Sequence, residues 1–181
     1  MKSFNVLTLL FHVFLFTSSV FATTKTDNFE TVEAAYGGDL TSLGSGTKIA
    51  FFEKWHGGNA NLECVAGFNH IRLIIGELHM SRATRGKAAE WDIIRAQGYD
   101  LGKDGTSLWG NDVDMVSKEW NLKKAKARGN TFVWKGRVKS DISKTTVDKY
   151  MKQWAQDHPT YNIVTNSCLT FANALWDYVK E

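Results

Sequence analysis

Two side chains in this sequence can do covalent chemistry together, the thiol of Cys168 and the imidazole of His70. Cys168 stands in the stretch Tyr161-Asn-Ile-Val-Thr-Asn-Ser-Cys168-Leu-Thr-Phe-Ala-Asn-Ala-Leu175. A β-branched run, Ile163 to Thr165, meets polar Asn166 and Ser167. Phe171, Leu175 and Val179 then recur on one helical face, which predicts a helix that opens at Cys168. The unpaired backbone N–H groups and the positive dipole end of a first helical turn favour a thiolate, and a thiolate is a nucleophile. Two plainer readings stand beside this one. Cys168 can be a small buried residue at the start of a packed helix. It can also be half of a disulfide with Cys64, since two cysteines in an oxidising compartment pair by default.

A thiol nucleophile needs a base. His56, His70, His79 and His158 are the candidates, because His12 lies in the N-terminal apolar stretch. His70 begins the run His70-Ile-Arg-Leu-Ile-Ile-Gly76, which reads as a central strand buried on both faces. A ring there is either a hydrogen-bonded core histidine or a positioned base. His56 sits in a Gly-rich turn and His158 precedes a proline at a helix end, so both read as surface residues. His79 lies three residues beyond Gly76. A strand exit at that glycine would bring it back beside His70 as the group that orients the imidazole; a surface histidine is the other reading.

Other chemistries have weaker signals. His70, His79 and Cys168 could ligate zinc, but no Cys-x-x-Cys, His-x-x-x-His or carboxylate spacing supports them, and no metal or cofactor is expected. Asp112-Val-Asp114 reads as a solvated turn. The seven tryptophans are scattered, which suits core and rim more than a sugar platform. No nucleotide-binding loop is present, and no Lys/Arg cluster with interleaved aromatics suggests nucleic acid.

The elements that must hold Cys168 and His70 can be read in outline. Thr47–Trp55 and Thr131–Lys139 have strand composition. Leu62–Ala66, around Cys64, is a further short strand, and Gly76 is expected to end the His70 strand. Ala88, Trp91, Ile94 and Arg95 fall at helical spacing. Gln97–Gly110, with four glycines, reads as a loop, and Val113, Val116 and Trp120 as a short helix. Lys123–Arg128 is a basic run on a solvated face. Asp141-Ile-Ser143 starts a helix whose Val147, Tyr150, Met151 and Trp154 recur at i, i+3, i+4 and i+7, and His158-Pro159 stops it.

The N-terminus reads as a secretory signal over residues 1–22: Lys2, an apolar run from Val6 to Phe16, and the small-x-small site Val20-Phe21-Ala22. The run is too short for a transmembrane helix, and no later stretch would span a bilayer. A secreted protein is expected. Residues 23–46 read as a mobile, Gly-rich lead-in with a helical turn at Phe29–Tyr36, and 47–181 as one α+β domain. A hydrophobic content of 43% and a charged content of 23% are ordinary globular values. The net charge of +3 permits an acidic partner without requiring one.

Two motifs together resemble the circularly permuted branch of the papain-like superfamily, which includes lecithin-retinol-acyltransferase-like proteins and permuted NlpC-type peptidases. FNHIRLIIGELH is similar to the family's strand His-x-(apolar)-x-(apolar)-x-Gly, with His70 six residues before Gly76. YNIVTNSCLTFANAL is similar to the family's cysteine motif at Tyr161, Asn166, Cys168, Phe171 and Leu175. The histidine strand precedes the cysteine helix, which is the permuted order. The resemblance implies a small antiparallel sheet packed with helices, Cys168 as nucleophile and His70 as general base. The family's third polar residue often lies on the next strand, and His79 is the residue placed in that role here. The implied activity is cleavage of an amide or ester bond through an acyl-enzyme. Peptide, cell-wall peptide or acyl substrates are the expected partners. The rival expectation is a non-catalytic secreted binding module stapled by a Cys64–Cys168 disulfide.

Overall fold

The computed structural model describes residues 23–56, 70–103 and 109–181, the side chains of 103 and 109–111 excepted. The expected signal over 1–22 and the expected strand around Cys64 lie outside the described residues. The fold is mixed α+β. Its strands are β1 (Thr24–Lys25), β2 (Lys48–Trp55), β3 (His70–Met80), β4 (Glu90–Lys103), β5 (Trp109–Glu119), β6 (Thr131–Arg137) and β7 (Thr160–Asn162). The helices are α1 (Asp27–Tyr36), α2 (Leu122–Ala127), α3 (Lys144–Asp157) and α4 (Cys168–Val179). One sheet runs in the order β6-β2-β3-β4-β5-β7, antiparallel throughout, with β1 added parallel to β4.

Side chains alternate across a strand, so a sheet covered on both faces needs apolar residues at consecutive positions. β2 and β3 meet that demand. Ala50, Phe52, Ile71, Leu73 and Ile75 join a core with Val147 and Met151 of α3 and Phe171, Leu175 and Val179 of α4. Ile49, Phe51, Ile74 and Leu78 join a second core with Phe29 and Val32 of α1 and Leu122 of α2. The sheet is therefore the middle layer of three. Residues 23–46, expected as a lead-in, supply part of that second core: Phe29, Val32 and Leu40 are fully buried. Thr26 caps α1, and its hydroxyl donates to Asp92 of β4 at 2.6 Å.

Three expected elements differ, for one main physical reason. Gly76 does not end β3, which continues to Met80. It sits at a β-bulge, where the β3–β4 register shifts between Ile75 and Glu77. A Cβ on Gly76 would lie 2.6 Å from the Ile93 side chain, so only glycine allows this approach. Across the bulge Arg95 takes a left-handed φ of 54°. The extra residue reverses the alternation of β4. Trp91, Ile93 and Ala96 face one core, while Tyr99 and Leu101 face the other. That broken period of two imitates helical spacing, and the stretch expected as a helix and loop is mostly a long strand. Val113–Glu119 is likewise strand, within β5, with Val113 and Met115 packed against the first core.

Candidate active site

Everything around Cys168 is held by its local sequence. Ser167 caps α4, and Thr170 at the third helical position answers its backbone, a reciprocal capping box. Before the cap, Asn162 Oδ1 accepts from the amides of Val164 and Thr165, closing a tight turn. Asn166 is buried. Its Nδ2 donates to the carbonyls of His158 at 2.8 Å and Thr160 at 2.9 Å, and its Oδ1 accepts from Trp154 Nε1. The loop that delivers Cys168 is thereby tied to the end of α3. Cys168 itself is the first residue of α4, a buried free thiol with 7% exposure. Phe171, Leu175 and Val179 bury the helix face that fixes its direction, and α4 packs on β3 and β4.

His70 opens β3 beside Trp55, its cross-strand partner on β2. The two rings stack at 4.4 Å and 16°. Nε2 lies 2.6 Å from Oδ1 of Asp100 on β4, the next strand of the sheet. Among the described residues no donor is well aligned on that oxygen, the ring N–H included, so the contact is a close charge pairing. With Nε2 facing Asp100, Nδ1 is the ring nitrogen left for the thiol. Burial by itself would push the imidazole down, because it penalises the charged form. The close polar contacts with Asp100 and Cys168, and the negative charge each carries when ionised, overcome this and raise His70 to about 10. The ring is a cation at neutral pH, set between a carboxylate and a sulfur.

A fourth side chain joins them. The Tyr161 hydroxyl of β7 reaches both the main chain and the sulfur of Cys168. Burial first, and then the negative charge at Cys168, raise this phenol to about 12, so it stays protonated and able to donate.

Trp55 is itself anchored. Its Nε1 donates at 3.0 Å to Glu53, a fully buried carboxylate. Arg72 donates to the same carboxylate through Nε and Nη2 at 2.9 and 2.8 Å, and Asn130 Nδ2 donates to its other oxygen. A buried charge is tolerated when it is paired and hydrogen-bonded in this way.

The structure thus brings together two of the three residues named from sequence, Cys168 and His70, and does not bring His79 to them. His79 is exposed near the far end of β3, paired in register with Asp92. Nine residues of extended chain separate the two histidines, roughly 30 Å. The strand runs straight through Gly76, so the expected return beside His70 does not occur. Asp100 occupies the position on the next strand for which His79 was named. Sequence reasoning missed it because the stretch was read as loop. The signal was the alternation Tyr99-Asp100-Leu101, a carboxylate between two residues whose side chains are buried.

A cavity of about 280 Å³ lies elsewhere, between the middle of β3 and β4 and the start of α3, lined by residues that include Ile75, Tyr99 and Val147. It does not reach the sulfur. Among the described residues no cluster of His, Cys, Asp and Glu could hold a metal, and no helix is long and apolar enough to cross a membrane. No protein-family model, curated protein or solved structure matches the chain.

Proposed function

We propose that this chain is a thiol hydrolase of the circularly permuted papain-like kind, cleaving an amide or ester bond of a peptide, cell-wall peptide or acyl substrate. The observation that carries the reading is the convergence of Cys168, His70 and Asp100 from α4, β3 and β4. The order of the two motifs, histidine strand before cysteine helix, supports the permuted arrangement. Among the described residues Cys168 is a free thiol, the state that the enzyme reading requires. The apolar stretch over 1–22 supports secretion.

The chemistry follows from the protonation of the pair. The reactive form is the pair in which the thiol proton has passed to the imidazole, giving thiolate beside imidazolium. The thiolate attacks the carbonyl carbon and the carbonyl π pair moves to oxygen. That oxyanion meets the backbone N–H at the start of α4 and the Tyr161 hydroxyl. His70 gives its proton to the departing nitrogen or oxygen as the C–N or C–O bond breaks, leaving an S-acyl enzyme. The neutral imidazole then takes a proton from water, which attacks the thioester. Thiolate and imidazolium are regenerated with the free acid. Asp100 holds the ring in place and stabilises its charge throughout.

The test is a screen of fluorogenic amides and esters with purified protein. Turnover of one class, lost in Cys168→Ser, is the expected result. Equal turnover by wild type and Cys168→Ser would refute the assignment.

A further inference from the structure

Arg128 stands one indole away from the imidazole and has no acidic partner among the described residues. It caps the C-terminus of α2 and is exposed, and its guanidinium carbon lies 5.9 Å from the centre of the Trp55 ring. The same ring stacks on His70. Arg72 also approaches Trp55, at 5.1 Å, but its charge is neutralised by Glu53 at 2.8 Å. No carboxylate of the described residues forms an ion pair with Arg128. Its seat is firm. Asn130, two residues on, is buried and donates to the same Glu53 that holds Trp55. Glu53 therefore sets both the indole under His70 and the turn that carries Arg128.

A guanidinium beside an aromatic ring spends none of its N–H groups on that contact, and its planar fork matches a carboxylate in two parallel hydrogen bonds. A single uncompensated cation suits a monoanion better than a dianionic phosphate. We propose that Arg128 is a specificity-determining residue that binds a carboxylate of the substrate, so that the site prefers amides or esters bearing an acidic group near the scissile bond. This rests on the thiol-hydrolase reading and narrows its substrate class. It also gives the Lys123–Arg128 run, otherwise a solvated basic face, one member with a defined target.

Paired alkylating reagents test it. Iodoacetate carries a carboxylate and iodoacetamide is its neutral isostere; each forms an S–C bond to Cys168 as iodide leaves. The readout is the ratio of their rates at Cys168 at neutral pH and low salt, followed by peptide mass. Arg128→Gln should lower the iodoacetate-to-iodoacetamide ratio by about two- to tenfold, the range for one nearby charge as the local dielectric varies. Arg128→Lys, which keeps the charge, should retain most of it, and added salt should lower the wild-type ratio toward that of Arg128→Gln. If iodoacetamide labels Cys168 and the ratio is the same in wild type and Arg128→Gln, Arg128 has no such role while the thiol chemistry stands. If iodoacetamide fails to label Cys168 at all, the thiol-hydrolase reading fails and this proposal with it.

Discussion

Each end of β3 carries a histidine with an aspartate close by on β4, yet the two ends differ in almost every physical respect. At one end His70 is mostly buried, stacked on Trp55, 2.6 Å from Asp100 and hydrogen-bonded to a sulfur. At the other, His79 is exposed, and the carboxylate of its register partner Asp92 is occupied by the Thr26 hydroxyl and the Ile93 amide. The contrast shows what makes a histidine useful for catalysis here. A low-dielectric wall, a dedicated carboxylate and a nucleophile must all meet at the ring, and only the end of β3 against which α4 begins supplies the three.

The largest expected difference between the ends is in turnover. Cys168→Ala should abolish it, and His70→Ala should lower kcat/KM by about 10²–10⁴-fold, the usual worth of a positioned acid–base group, whereas His79→Ala should stay within about twofold. Steady-state kinetics on any substrate found in the screen decides this. A loss at His79 comparable to that at His70 would erase the contrast.

Next in size is the support beneath His70. Glu53→Ala removes the carboxylate that pairs with half-buried Arg72 and frees Trp55, so it should destabilise by about 3–5 kcal/mol in urea unfolding. Asp92→Ala, at the other end, forfeits hydrogen bonds from Thr26 and Ile93 and should cost about 1–2 kcal/mol. Equal costs would mean that the Glu53 network is no stronger than an ordinary strand contact.

The pH dependence sharpens the comparison at His70 itself. Its folded value of about 10 lies above the unfolded value near 6.5. The folded state therefore binds the proton more tightly, and the stabilisation is fully present below pH 6.5 and lost as pH rises toward 10. The stability difference between wild type and His70→Gln should be largest at pH 6.5 and small at pH 10. Asp100→Asn should bring the alkaline limb of kcat/KM down from near 10, because it removes one of the two charges that hold the proton on the ring.

The smallest effect concerns Tyr161. Tyr161→Phe should keep the fold and lower kcat by about tenfold, less than the roughly 10²–10³ of a dedicated oxyanion donor because the backbone N–H remains. An unchanged kcat would remove Tyr161 from the site and leave it as core.

How far these features could be read in the sequence follows from periodicity. α3 and α4 were legible because apolar residues recur at the helical period and polar caps, Ser143 and Ser167, precede them. β2, β6 and the start of β3 were legible from β-branched and aromatic composition. β4 was not, because its bulge at Arg95 reverses the alternation halfway along. That single irregularity hid Asp100, and with it the third member of the site. Cys168 and His70 were legible because each opens a regular element, while the Glu53 network was not. A buried carboxylate at Glu53 is set by partners far along the chain, Arg72 and Asn130, which no local pattern reveals.

The most direct test of the central claim is the pH dependence of Cys168 carboxamidomethylation in wild type, His70→Ala and Asp100→Asn, without reductant and with the label located by peptide mass. An imidazolium–thiolate unit predicts fast labelling that persists to mildly acidic pH in wild type. The rate at acidic pH should fall in Asp100→Asn and fall further in His70→Ala, toward that of an ordinary thiol. A Cys64–Cys168 crosslinked peptide, or identical pH profiles in all three proteins, would contradict it.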